Sequence, residues 1–312
     1  MPNAKLSSYL QLHFIVFIWG FTAILGELIT ISAIPLVLYR MSMASAMIWL
    51  YLSYKRISLF VSFKILKLSL LGGFLIALHW VTFFHAIKVS NVSITLSVLS
   101  SGAFFTSLFE PLFYKRKLVG YEVLFGILII IGVYLIFRSE QQQSEGVFYA
   151  LISALLSSFF TLLNGKLAGQ ARSSVISLYE LGFGTLIIGV VVFISNWVPN
   201  ELVKTEALLI SKMTDWLYLF ILASICTAYA FIIAVKVMRY LSPFSVMLTT
   251  NLEPVYGIFL ALLFFGDSEK MTASFYFGAL LILITVIANG ILKKVQKQQA
   301  RFNSDENFKK RR

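Results

Sequence analysis

Ten apolar stretches of about 20 residues follow one another along this chain, and its Lys and Arg residues gather in every second gap between them. A hydrocarbon core about 30 Å thick is crossed by about 20 residues of helix, and in lipid only a helix or a closed barrel satisfies every backbone N–H and C=O. The pattern therefore predicts an all-α integral membrane protein of ten transmembrane helices. The spans are expected near residues 10–31, 35–54, 66–87, 91–113, 119–137, 146–166, 174–196, 215–236, 243–265 and 272–292. They leave little for a soluble domain in a chain of 312 residues that is 59% hydrophobic.

The charge pattern sets an expected orientation. With the N-terminus in the cytoplasm, of 26 Lys and Arg residues only Arg40, Lys88, Arg138, Lys204, Lys212 and Lys270 fall on the outer side. Basic loops stay inside, so both termini are expected to be cytoplasmic. The net charge of +12 then needs no nucleic-acid partner. The first apolar run, from Tyr9 to about Ile31, is too long for a signal peptide and lacks a small-residue cleavage site, so it is expected to stay as span one. The single cysteine, Cys226, excludes an intrachain disulfide and a cysteine-cluster metal site, and the histidines are too far apart to share a helix face as ligands. No cofactor and no metal are expected. Residues 293–312 form a basic tail expected to fray or to lie on anionic headgroups, and the outer loop from Asn196 to Thr214 has room for an amphipathic turn.

Five spans precede the polar stretch 139–145 and five follow it, which divides the chain into a first repeat over 1–138, a linker, and a second repeat over 146–292. A shift of 151 pairs Leu71 with Leu222, Lys88 with Arg239, Val92 with Pro243, Ala103 with Pro254 and Phe113 with Phe264. One more residue pairs Gly126 with Gly278, and a shift of 140 lays Leu38-Tyr39-Arg40 on Leu178-Tyr179-Glu180. An odd number of helices per half starts the second half on the opposite side, giving two inverted five-helix repeats (5+5). That architecture recurs in secondary transporters, which hold substrate near the midplane between the repeats.

Trp19-Gly20 in span one, Arg40 in span two and the ninth-span run Asn251-Leu252-Glu253-Pro254-Val255-Tyr256-Gly257, closing at Gly266-Asp267, carry a resemblance to a known family. The chain resembles the EamA-type branch of the drug/metabolite transporter superfamily along nearly its whole length. The resemblance implies a ten-helix carrier, often an exporter of amino acids or other small metabolites, in a bacterial inner membrane. In the first half, Ala103 stands where the family's span four has proline, and Lys115-Arg116 stands where it has Gly-Glu.

Ionisable groups within the spans narrow the search for a site, since a charge at the centre of a lone helix costs about 2.5–3.5 kcal/mol. Glu253 lies ten residues into span nine, about 15 Å deep at the rise of an α-helix. Pro254 cannot donate to the carbonyl of Thr250, so a kink is expected to gather Glu253, Asn251 and that carbonyl at one depth. In span four Ser101, beside Gly102, marks the matching level. Trp19, His79 and Trp80 are further candidates for the cavity wall, against a packing role for the histidine. Arg40 lies about 8 Å from the outer end of its span and Glu180 about 9 Å from the inner end of its own, so the two are not expected to pair. Glu27 matches Arg40 in depth and is its expected ion-pair partner. Glu180 has no basic residue at its depth, and reads either as a neutral buried acid or as a proton-coupling group. Glu110 is expected to bridge to Lys115-Arg116-Lys117 near the inner interface.

The expected function is a secondary carrier that moves a small metabolite by alternating access, with protonation of Glu253 or Glu180 as the coupling step. A membrane enzyme would need a nucleophile, an acid/base pair or metal ligands near an interface, and no such group of residues is visible. A channel or scramblase is the alternative from another class, and unitary currents would reveal it. A nucleotide-sugar or sugar-phosphate antiporter would want several midplane Lys or Arg residues for phosphate, and the sequence has none there. Oligomeric state does not follow from these residues.

Overall fold

The computed structural model describes residues 2–115, 120–195, 208 and 210–310. Among the described residues the chain is helical throughout, with one isolated bridge between Ala168 and Ala171. The helices are α1 (Pro2–Leu28), α2 (Ala33–Tyr54), α3 (Phe63–Val89), α4 (Val92–Leu99), α5 (Gly102–Tyr114), α6 (Gly120–Ser139), α7 (Ser144–Leu167), α8 (Ser173–Ser195), α9 (Met213–Ala223), α10 (Ala230–Val237), α11 (Pro243–Thr250), α12 (Glu253–Phe265) and α13 (Ala273–Lys310). Nine stretches among the described residues are long and apolar enough to cross a bilayer, and Leu124–Ser139 is a shorter apolar helix at the expected place of span five. The protein is a multi-pass membrane protein. Large apolar side chains such as Leu186, Phe259 and Phe277 face outward, which suits contact with lipid tails.

Three expected spans are not continuous α-helices. Span four divides between α4 and α5 at Ser100-Ser101, and span nine divides between α11 and α12 at Asn251-Leu252. The proline expected to kink span nine has no counterpart in span four, yet both break at the same level. In each, one tight i→i+3 bond marks the break: Ser101 N to Val98 O at 3.0 Å, and Leu252 N to Thr249 O at 3.0 Å. The third interruption was not foreseen. Residues Ser224–Tyr229, between α9 and α10, form a π-helical turn. The helix of span ten runs on to Lys310, where a tail that frays or lies on anionic headgroups is expected from the sequence. The expected amphipathic turn in the loop 196–214 falls mainly on residues outside those described, as do the Arg116 and Lys117 partners proposed for Glu110.

The helices that open spans four and nine, α4 and α11, are both capped by side chains. Asn91 Oδ1 accepts from Ile94 N at 2.8 Å, and Ser242 Oγ accepts from Ser245 N at 3.2 Å with Pro243 at the first helical position. The core is built around α3, which packs along α7 and α8, while α1 runs against α12. Gly73 and Gly184 let α3 and α8 approach, for a side chain on Gly73 would meet Gly184 N at 2.9 Å.

The helices α6 and α13 pair with one another. Their contact is made through Gly132 and Gly278, where a Cβ on Gly278 would lie 2.8 Å from the Gly132 carbonyl oxygen. Backbone cannot yield as a side-chain tip can, so Gly278→Leu is expected to lower stability by about 1–3 kcal/mol. Thermal melting in detergent checks this against Gly189→Leu, which has open space around it and is expected to leave the midpoint unchanged.

Candidate functional site

The two helix breaks meet at one cavity. Its walls come from α1, α2, α3, α7 and α10, from the end of α4 with Ser100, and from both sides of the break in span nine. It encloses about 920 Å³ of atom-free space, its open mouth included. Apolar surface predominates, from side chains such as Phe83, Phe160, Phe231 and Met247, and polar side chains including Arg40, His79, Asn251 and Glu253 are set into it. A largely apolar hollow with a few convergent polar groups is the usual form of a small-molecule site.

Most of the residues singled out from the sequence come together here. Trp19, Arg40, His79, Trp80, Thr250, Asn251, Glu253 and Pro254 all line the cavity. Glu253 is the first residue of α12, 7% exposed, with its carboxyl beside the positive end of that helix. Asn251 sits at the break itself, and its buried Nδ2 has no partner. His79 is fixed by α7: its Nδ1 lies 2.8 Å from Ser153 Oγ and 3.0 Å from the Ser153 carbonyl.

Arg40 is almost fully buried, at 1% exposed, and among the described residues it makes no ion pair. Its Nε donates to Thr227 Oγ1 at 2.6 Å, and its guanidinium lies 3.8 Å over the Trp80 ring. Desolvated, such a stack is worth about 2 kcal/mol or more. The π turn explains the hydrogen bond. It carries Thr227 to the cavity side, where the hydroxyl also donates to Leu222 O at 2.6 Å, and it aims the Cys226 carbonyl at Trp19 Nε1, 3.2 Å away. One irregular turn thus orients both an arginine and a tryptophan, in keeping with the placement of π bulges at functional sites. Arg40 Nη1 keeps no partner.

Two expectations are corrected. The Glu27–Arg40 ion pair is not formed: Arg40 is drawn across to Thr227 and Trp80, and the cation at the Glu27 end is Lys88, whose Nζ donates to the carbonyls of Glu27 and Ile29 at 3.1 and 2.6 Å. Ser101 does not line the cavity but is fully buried beside it, because the tight turn shifts the register and presents Ser100 instead. Glu180 and Glu27 also lie off the lining. Sequence reading missed Ser157 and Thr161 of α7, which do line it.

The two ends of the bundle are tied differently. At the Lys88 end, Asp215 Oδ2 accepts from Thr30 N and Oγ1 at 3.3 and 2.5 Å, and the Glu269 carboxylate accepts from Val92 N and Ser93 N at 3.1 and 2.9 Å. At the opposite end, Arg239 Nη2 donates to Ala171 O at 2.6 Å and Tyr179 OH to Leu59 O at 2.9 Å.

The family model for EamA-like transporters matches this chain twice, over residues 6–138 and 144–290. The chain belongs to the EamA-like transporter family. The two matched segments divide at the turn between α6 and α7, so each EamA unit contributes one of the broken spans to the cavity. An uncharacterized transporter of Bacillus subtilis (strain 168), YxxF, is 24% identical over 204 residues, 64% of this chain. This chain spans 62% of that relative's length. An uncharacterized transporter of Archaeoglobus fulgidus is 23% identical over 209 residues, 66% of this chain and 70% of that protein. A solved crystal structure shares the fold with a TM-score of 0.64 at 14% identity, over 92% of this chain and 98% of that one.

Proposed function

We propose that this EamA-like protein is a secondary carrier for a small zwitterionic metabolite of the amino-acid type, bound in the central cavity and exported by alternating access. The observation that carries the reading is the pairing of unlike charges in one largely apolar hollow: Arg40, with an unpartnered buried Nη1, and Glu253 line the same cavity without forming an ion pair among the described residues. Arg40 Nη1 and Asn251 Nδ2 are donors awaiting an acceptor, which a substrate carboxylate supplies, and a carboxylate on Arg is a strong, geometry-selective pair. Glu253 takes the substrate ammonium. On release of substrate the same carboxyl takes a proton, so that substrate and proton exchange on one group and move in opposite directions.

In this reading the chain crosses a cytoplasmic membrane ten times in two inverted five-helix repeats, with both termini inside. Domain boundaries at 1–138 and 146–292 fit it. The clasps at the two ends support the inversion. Lys88 at the end of α3, and Arg239 just after α10, are the residues that the shift of 151 pairs, and each donates to a carbonyl just after the first span of its own repeat, at Ile29 and at Ala171. Burial of the Lys88 clasp among carboxylates, against a single exposed bond at Arg239, fits a cavity closed to the outside.

The test is counterflow in proteoliposomes loaded with a panel of amino acids, matched amines and matched carboxylic acids. Saturable exchange of zwitterions over both half-matched sets is expected. Uptake that does not saturate, together with unitary currents in planar bilayers, would mark a channel and overturn the reading.

A further inference from the structure

Among the described residues Glu180 is the most enclosed acid, at 0% exposed. Glu180 on α8 and Asn164 on α7 are both 0% exposed, and neither lines the cavity. Asn164 Nδ2 donates to Glu180 Oε1 at 3.0 Å and lies 3.4 Å from Phe160 O, its own helix's carbonyl. The carboxyl rests flat on α3 at Gly72, where a Cβ would overlap it. The helices packed against this point bring no cation to it. On α2, Met41 packs at Gly184, one turn along α8, and Arg40 is engaged by Thr227 and Trp80; α3 presents Gly72 and Gly73 to Glu180. Among the described residues Glu180 has no ion pair.

The hydrogen-bond inventory of this pair is unbalanced by one donor. Glu180 Oε2 and Asn164 Oδ1 are both buried with no partner. An ionised carboxylate accepts only, and the amide carbonyl accepts only, so two acceptors are left in apolar surroundings, where each unmet polar group is costly. Turning the amide over exchanges the roles of its ends without adding a donor. A single proton on Glu180 corrects the imbalance. Placed on Oε2, it donates to Asn164 Oδ1 while Asn164 Nδ2 donates to Oε1, closing an acid–amide ring with two hydrogen bonds. The same proton removes an uncompensated charge from the bundle.

We propose that Glu180 and Asn164 form a resident proton-binding site, separate from the substrate cavity, in which the carboxyl holds its proton at neutral pH and the acid–amide ring locks α7 to α8. The site joins the first two spans of the second matched segment and lies against α3 of the first, so it sets a contact between the two halves. It does not depend on the substrate reading given above.

Infrared spectroscopy of the full-length protein in lipid vesicles, isotope-labelled at its glutamate carboxyls, tests this without any substrate. The wild-type minus Glu180→Gln difference at neutral pH is expected to contain a protonated-carboxyl band. Glutamine reproduces the ring through its own N–H, so that variant is expected to melt with the wild type. A difference containing only a carboxylate band would overturn the proposal. Asn164→Ala gives a second measurement that does not need the glutamine variant to fold. Loss of one ring partner is expected to shift the protonated-carboxyl band, whereas a shift confined to the carboxylate region would equally overturn it.

Discussion

Replacing Arg40 with methionine is expected to raise the transport KM steeply while leaving the protein at least as stable as the wild type. The two effects have one cause. Arg40 is a buried cation held by a hydroxyl and an aromatic face with no carboxylate in contact, an arrangement whose desolvation is not repaid by a counterion within the protein. In the proposed function the substrate carboxylate is that counterion. Truncating one partner of a buried charge pair costs about 2–5 kcal/mol, so affinity is expected to fall by roughly 30-fold or more. Arg40→Lys is expected to fail nearly as badly, since an ammonium neither stacks flat on Trp80 nor offers a fork of donors. Counterflow KM and thermal melting on the same preparations check the prediction. A methionine variant that melts well below the wild type would make Arg40 a packing residue instead.

Much of this site was legible from the sequence because lipid removes ambiguity. A polar residue in a 20-residue apolar run has few explanations, and depth alone separated Glu253 from the acids that reach an interface. The residues around Glu253-Pro254 follow from the missing proline N–H, and they do line the cavity. Depth also kept Arg40 and Glu180 apart, and in the structure they take different partners. The same argument failed for Glu27, because equal depth does not fix azimuth. Arg40 turns toward α10, and nothing in its own span says so. The break of span four without proline was equally hidden, since Ser100-Ser101 is compatible with a continuous helix. The π turn at Ser224–Tyr229 had no signal, being an accommodation to what Arg40 and Trp19 require of it. One signal was overlooked. Ser153, Ser157, Thr161 and Asn164 recur at intervals of four, four and three in a largely apolar span, a single helical stripe. That stripe fixes His79, lines the cavity twice and holds Glu180.

Glu253→Gln is expected to uncouple transport from the proton gradient without ending exchange. With one proton per substrate, each unit of pH difference supports about tenfold accumulation, since a unit is worth about 1.4 kcal/mol. A glutamine cannot take up the proton, so in proteoliposomes that gain should vanish while counterflow at saturating substrate continues with a raised KM. The choice of Glu253 over Glu180 follows from their surroundings. A coupling group must meet both substrate and water during the cycle. Glu253 borders the cavity at the head of α12, beside the break in span nine, whereas Glu180 is sealed between α3, α7 and α8. Glu180→Gln, which replaces the acid's O–H by an amide N–H donor, is therefore expected to keep gradient-driven accumulation. If gradient drive survives in Glu253→Gln and disappears in Glu180→Gln, the two acids exchange roles and the substrate ammonium has no competitor at Glu253. Measuring both variants at one imposed gradient thus separates the acid that carries the proton across the membrane from the one that keeps it.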